Sequence, residues 1–229
     1  MTYVELQVAT HFSFLRGVSS ARELFAAARL LGYPALGVTD RNTVGGLVKA
    51  LRAEREIGGV RLIAGCRLDL MDGSSLLVWP EDRAAWSRLT RLLSLGKSRV
   101  DRKKGEKGQC FLHWEDVAAW GQGLVAALVP DRADRLADIA LAQMAAIFGQ
   151  RGHLALTHRR RPGELQRLHA LDALARSHDL KSLATGDVLY DGPDKRMLHD
   201  VVTAIREHCT IDELGFRRER FADRYLNAV

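Results

Sequence analysis

Apolar positions along this chain fall into short runs and spaced sets separated by polar turns. Val4 to Val8 reads as a short strand. Ser20-Ala21-Arg22-Glu23 has the form of a capping box, in which a serine hydroxyl and a glutamate three residues on satisfy each other's backbone amides. Leu24, Ala27, Ala28 and Leu31 then recur at helical spacing until Gly32 stops the run. Pro34 leads into a strand over Ala35 to Thr39. A second helix is predicted at about Val44 to Ile57, with Leu47, Leu51 and Ile57 turned inward, ending before Gly58-Gly59. Val60 to Leu70 reads as extended, interrupted at Gly65-Cys66, and closes in the turn Met71-Asp72-Gly73. Leu76 to Trp79 is a strand that Pro80 breaks, and Trp86, Leu89, Leu92, Leu93 and Leu95 mark a third helix.

The second half repeats the alternation. A short helix is predicted over Trp114 to Trp120, a buried strand over Gly123 to Val129 and an amphipathic helix over Ala133 to Phe148. His153 to Thr157 and Leu180 to Thr185 read as strands, Leu165 to Ser177 and Met197 to Ile205 as helices. Thr210-Ile211-Asp212-Glu213 is a second capping box. Strand and helix alternating at this pace predict an α/β fold of βα units, with a parallel sheet or barrel. There is no internal sequence repeat. The stretch after Phe216 is charged, with little beyond Phe221, Tyr225 and Leu226 to bury, so the expected organisation is one domain over 1–214 and a linker over 215–229.

Composition adds bounds. The 229 residues fit one α/β domain, and 47% apolar content is enough for a sizeable core. The net charge of +6 permits a polyanionic partner without requiring one. Cys66, Cys110 and Cys209 are odd in number and form no CxxC pair, which argues against a zinc ribbon or disulfide framework and for a reducing compartment. No leader-like start and no apolar run of bilayer-spanning length are present, so a cytoplasmic protein without membrane contact is expected.

Lys97 to Lys107 interrupts the pattern with six basic and two acidic residues. It reads as an exposed loop. Lys97, Arg99, Arg102, Lys103, Lys104 and Lys107 could neutralise phosphates of a nucleic acid, but without aromatic neighbours they would read no bases. The alternative is a solvated surface segment.

Candidate chemistry lies at strand ends, where parallel α/β folds gather ligands. Three stretches end strands with polar residues: Gln7-Val8-Ala9-Thr10-His11, Val38-Thr39-Asp40-Arg41, and Thr185-Gly186-Asp187-Val188-Leu189-Tyr190. Together with Ile63-Ala64-Gly65-Cys66, they resemble the PHP (polymerase and histidinol phosphatase) domain that opens bacterial C-family DNA polymerases. Phe12-Ser13-Phe14-Leu15-Arg16-Gly17, Trp79-Pro80-Glu81-Asp82-Arg83, Leu92-Leu93-Ser94-Leu95-Gly96-Lys97 and Leu156-Thr157-His158-Arg159-Arg160-Arg161 resemble its error-prone, damage-tolerant branch.

The resemblance implies a distorted (β/α)7 barrel of PHP type. An active member would bind up to three divalent metals, which polarise a phosphoryl oxygen and activate water. The family's opening His-x-His falls on Gln7 and Ala9, its Asp-His on Asp40 and Arg41, and its Gly-Cys-Glu on Gly65, Cys66 and Arg67. A further His aligns with Ser75, and the closing Asp-x-His falls on Asp187 and Leu189. Asp40 and Asp187 are thus vestigial ligand positions, and the expected metal complement of this chain is none. Arg41 and Arg67 are expected to supply the missing positive charge by pairing with Asp40 and Asp187. His11 is expected to be an exposed turn residue and Cys66 a buried thiol. No Gly-rich phosphate loop, nucleophile elbow or GxGxxG is present.

The leading expectation is a catalytically silent module of an error-prone translesion polymerase. Its partners would be the rest of the polymerase chain, DNA through that chain, and accessory proteins of damage-induced mutagenesis, with Mg²⁺ held only in the polymerase's own palm. The competing expectations are a residual metal-dependent 3'-5' exonuclease or phosphatase, and a DNA-binding module using the basic segment and Arg159 to Arg161.

Overall fold

The computed structural model describes residues 3–100, 109–218 and 221–227. Arg102, Lys103, Lys104 and Lys107 lie outside the described residues. By backbone contacts the chain divides into two compact units, one formed by Met1–Ala64 with Thr185–Val229 and the other by Gly65–Ala184.

In the first unit, β1 (Glu5–Val8), β2 (Ala35–Val38) and β3 (Arg61–Ala64) form a parallel sheet in that order, with Val8 opposite Val38 and Val38 opposite Ala64. Parallel neighbours need crossovers, and these are α1 (Ala21–Leu30) and α2 (Leu47–Ile57). Both arms of the capping box form at α1: Glu23 N–H donates to Ser20 Oγ at 3.3 Å, and Ser20 N–H to Glu23 Oε2 at 2.7 Å. The inner face of α2 differs from the spacing prediction. Leu47, Ala50 and Ala53 are buried, whereas Leu51 is 40% exposed. At 100° per residue the two alanines define a narrow stripe, and Leu51 lies to one side of it. After Thr185 the chain re-enters this unit. It forms a parallel bridge from Val188 to Val8, then α7 (Arg196–Arg206) and a short turn of helix over Asp212–Arg217. The second capping box forms too, with Thr210 N–H donating to Glu213 Oε2 at 2.8 Å.

In the second unit, β4 (Cys66–Asp69), β5 (Ser75–Pro80), β6 (Leu124–Leu128), β7 (Gly152–Thr157) and β8 (Lys181–Thr185) are ordered sequentially in one sheet. The expectation of parallel pairing holds for β6 with β7 but not for β4 with β5 or β5 with β6, which are antiparallel. The connection between β4 and β5 is the tight turn after Leu70, and only antiparallel neighbours can be joined so briefly. The sheet carries α3 (Arg83–Ser98), α4 (Trp114–Trp120), α5 (Arg135–Phe148) and α6 (Glu164–Ser177). The core of this unit is aliphatic: Leu68, Leu76, Leu77, Leu89, Leu92, Leu112 and Leu124 are all fully buried.

Lys97 and Ser98 belong to α3 rather than to a loop. A cation in the last turn favours a helix C-terminus, and Ser98 Oγ donates to the Leu95 carbonyl at 2.8 Å. Among the described residues no helix is long and apolar enough to cross a membrane. All three cysteines are free thiols, and Cys66 and Cys110 are buried.

Candidate functional site

The ends of β1 and β2 and the 185–190 segment meet through their backbones. Thr39 N–H donates to the Val8 carbonyl at 2.8 Å, which closes β2 against one edge of β1. On its other edge, the Gln7 carbonyl accepts from Val188 N–H at 2.8 Å, and Ala9 N–H donates to the Val188 carbonyl at 2.9 Å. Gln7, Ala9, Asp40, Asp187 and Leu189 are therefore brought together on three adjacent chain segments, as the strand-end pattern predicts.

Asp40 is buried and held by its own turn. Its Oδ1 accepts from Thr10 N–H and Ser13 Oγ, both at 2.7 Å, and its Oδ2 from Thr10 Oγ1 at 2.8 Å. Burial pushes this carboxyl's pKa up, and the Ser13 and Thr10 donors pull it part of the way back. The polar residues of the opening turn thus serve as a donor cradle. Arg41 joins the cradle through its backbone, donating N–H to Ser13 Oγ at 3.1 Å.

Asp187 is also buried, and a cation does sit on it. That cation is Arg224: its Nη2 lies 2.5 Å from Asp187 Oδ2, and its Nε donates to the Asp187 carbonyl at 2.7 Å. Both side chains are less than a tenth exposed, so this is a desolvated, two-point contact of the kind guanidinium geometry suits. The Arg224 carbonyl in turn accepts from Leu189 N–H at 2.8 Å. The charged tail, which sequence alone presents as a linker, therefore contributes a buried side chain. Asp187 itself adopts φ 49°, a left-handed conformation that aspartate tolerates better than most residues.

Glu5 is a third buried acid, and sequence reading passes over it. It stands on β1 and accepts from Gln7 N–H at 2.8 Å on Oε1, and from Gly186 N–H at 2.7 Å and Tyr3 Oη at 2.8 Å on Oε2. The approach to Gly186 is so close that a Cβ there would stand 2.6 Å from Glu5 Oε2. Burial drives the Glu5 pKa up to about 7; the three donors lower it and nearby Asp187 raises it. The available signal was a glutamate inside an apolar strand, but its partner Gly186 lies 181 residues away in sequence.

Gln7, at the first of the family's histidine positions, is 2% exposed. Among the described residues neither its Oε1 nor its Nε2 has a hydrogen-bond partner. Leu189, at the last histidine position, is buried as an ordinary apolar side chain. In the second unit, Cys66 is fully buried and Arg67 bonds within its own hairpin. Arg67 Nε donates to Ser75 Oγ at 2.7 Å and lies 3.5 Å from Asp69 Oδ1, while Ser75 Oγ donates to Asp69 Oδ1 at 2.7 Å. An arginine, a serine and an aspartate thus meet across β4 and β5. His11 is exposed, against Phe12.

These residues do not fit a divalent-metal cluster. One carboxylate accepts from a backbone amide and two hydroxyls of the opening turn, and the other is held by a guanidinium. The imidazole positions carry an amide, a methyl group, a guanidinium, a hydroxyl and an isobutyl group. Among the described residues no three His, Cys, Asp or Glu side chains converge so as to hold a metal ion.

In the basic segment Arg99 is engaged. Arg99 makes a two-pronged contact with Asp116, Nη1 to Oδ2 at 2.5 Å and Nη2 to Oδ1 at 2.7 Å, and Nη1 donates to the Phe111 carbonyl at 3.1 Å. This pairing holds the Asp116 carboxyl below its ordinary range. Lys97 is exposed.

Comparison with known proteins identifies the family and the fold. The sequence profile of the PHP domain matches residues 5–175. Error-prone DNA polymerase 3 of Agrobacterium fabrum and error-prone DNA polymerase 2 of Rhizobium meliloti are each 55% identical to the chain over 226 residues, 99% of its length. The error-prone DNA polymerase of Caulobacter vibrioides is 44% identical over 228 residues. The chain spans about a fifth of the length of these relatives (20% of each). Among solved structures, a protein assigned as a metal-dependent phosphoesterase from Bifidobacterium adolescentis superposes with a TM-score of 0.62 at 18% identity, over 81% of this chain and 87% of its own. The lesion-specific endonuclease EndoQ of Pyrococcus furiosus gives 0.55 at 11% identity, over 82% of this chain and 48% of its own. At such identities these two likenesses speak to the fold alone.

Proposed function

The chain belongs to the PHP domain family, in the lineage found in error-prone DNA polymerases, and from that premise we propose that it is a catalytically silent PHP module serving as a structural part of such a polymerase. The observation that carries this reading is the fate of the two surviving acids. Asp40 accepts three hydrogen bonds from Thr10 and Ser13, and Asp187 is paired with Arg224. Displacing Arg224 to admit a metal would strand one buried charge and expose another, at a cost of several kcal/mol. The parent activity is templated DNA synthesis past damaged bases, with catalytic metals bound elsewhere in the longer chain. The partners of this module are then the remainder of the polymerase, DNA through that remainder, and accessory proteins of mutagenic repair in the cytoplasm.

The test uses the 229-residue chain. Thermal melts with Mn²⁺ or Zn²⁺ and a nuclease assay on 3'-labelled single-stranded DNA read metal binding and hydrolysis separately. A genuine site present at 100 times its Kd would add about 2.7 kcal/mol, or a rise of roughly 5–10 °C for a chain of this size. The expected result is no saturable rise and no cleavage. A saturable rise with chelator-sensitive cleavage would replace the silent module with a residual exonuclease or phosphatase.

A further inference from the structure

Helix α7 is built inside out. An amphipathic helix on a folded protein turns its apolar stripe to the core. Here the buried positions are His199, Asp200, Thr203 and Ala204, while Met197 is 58% exposed, Leu198 47% and Ile205 54%. Val201 and Val202 are half-buried. At 100° per residue, Met197, Val201, Ile205, Leu198 and Val202 occupy one continuous arc of about 140°, so the exposed apolar residues form a single face.

The polar side makes specific contacts. Asp200 Oδ2 accepts from Arg218 Nε at 2.6 Å and lies 3.5 Å from Arg196 Nε. The His199 ring lies 5.7 Å from that of buried Tyr190, and Arg206 Nη1 donates to the Leu15 carbonyl at 2.9 Å. These contacts hold the helix with its apolar face outward. The Arg206 bond also draws alongside the C-terminal end of α7 the loop that carries Phe14, itself 82% exposed. A contiguous apolar surface of this kind on a soluble unit marks an interaction site.

Resting on the reading of the chain as a polymerase module, we propose that the outer face of α7 is the surface on which the remainder of the polymerase chain docks, through a complementary apolar surface of its own. The occupant follows from length and position. The relatives match this chain over nearly all of it, yet 80% of each relative's length lies outside the match (100% less the 20% covered). That larger part is tethered to the unit containing α7, so its docking is intramolecular and needs little intrinsic affinity. Two exposed phenylalanines flank the same stretch, Phe216 at 109% and Phe221 at 39% exposure, between α7 and the last described residue.

The experiment compares cysteine labelling in the 229-residue chain and in the full-length polymerase. In a Cys209→Ser background, Leu198→Cys and Ile205→Cys report on the proposed face, and Leu30→Cys on α1, 88% exposed, reports on another surface. Melting curves of the labelled variants certify that each is folded. The expected result is that maleimide labelling at positions 198 and 205 is at least tenfold slower in the full-length polymerase, with position 30 unchanged. If positions 198 and 205 label equally fast in both while position 30 slows, the α7 face is refuted and the module reading stands. If none of the three slows, the α7 face is refuted as well. Slow labelling already in the 229-residue chain, with a dimeric mass by light scattering, would assign the face to self-association and overturn the proposal.

Discussion

Replacing Glu5 by glutamine should change how stability responds to pH rather than simply lower it. Glu5 has an ordinary pKa of 4.5 in an unfolded chain and about 7 in the folded one. Because the folded value is the higher, the native state binds the extra proton between these limits. The stability it confers is fully present below pH 4.5 and is lost as pH rises through 7. At 1.36 kcal/mol per unit, the part of that loss falling between pH 5 and pH 8 is about 2.5 kcal/mol. The Glu5→Gln variant cannot titrate there. It also loses at least one of the three accepted hydrogen bonds, the Gln7 one if the amide nitrogen replaces Oε1, but that penalty does not vary with pH. Ionisable groups that do not interact with Glu5 cancel in the difference. Urea denaturation of both proteins at pH 5, 6, 7 and 8 should therefore show the variant gaining on the wild type by about 2.5 kcal/mol across the series. A gain below about 1 kcal/mol would mean that the hydrogen bonds from Gln7, Gly186 and Tyr3 outweigh burial, and would refute the reasoning.

Further outcomes follow from other contacts. Arg224→Met leaves Asp187 buried without its guanidinium and should cost about 3–5 kcal/mol in urea melts, while adding Asp187→Asn should recover a large part of it; strictly additive losses would show that the two residues do not act as a pair. Gly17→Ala would set a methyl 2.2 Å from the Thr10 carbonyl oxygen, and should cost at least about 1–3 kcal/mol because backbone rather than a side-chain tip must move; a melting temperature within 1 °C or so of wild type would refute that. Arg99→Ala should lower the melting temperature by releasing Asp116, yet leave the salt dependence of DNA affinity unchanged. A salt slope reduced by about one, read by fluorescence anisotropy, would instead restore Arg99 as a phosphate contact.

Much of this molecule is legible in its sequence because the relevant signals are local. Both capping boxes, at Ser20 and Thr210, form as the residue spacing requires. Each expected strand and helix is found, within a few residues at its ends. Strand direction was less accessible: β5 reads the same in either orientation, and only the brevity of the turn before it hints at an antiparallel partner. α3 runs past the point where its apolar spacing fades, since its last turn is held by serine and arginine bonds instead. Asp40 and Asp187 could be found because strand ends have a recognisable shape. Arg224 could not, since it lies 37 residues along the chain from Asp187. The orientation of α7 lies furthest from the sequence, because the spacing of its apolar residues is the same whichever way the helix faces.

The return of the chain to β1 has a consequence for biosynthesis. The first three strands leave the ribosome early, but Glu5 receives the Gly186 amide only once about four-fifths of these residues have been made, and Asp187 its guanidinium only near their end. Until Val188 is made β1 presents an unfilled edge, and until Arg224 is made the buried Asp187 carboxylate awaits its cation. Residues 65–184 have no such wait for the sheet that they build. Nascent chains halted shortly before Arg224 should accordingly be trimmed by protease from their N-terminal end inward while β4 to β8 resist, and the same chains released a few codons later should not.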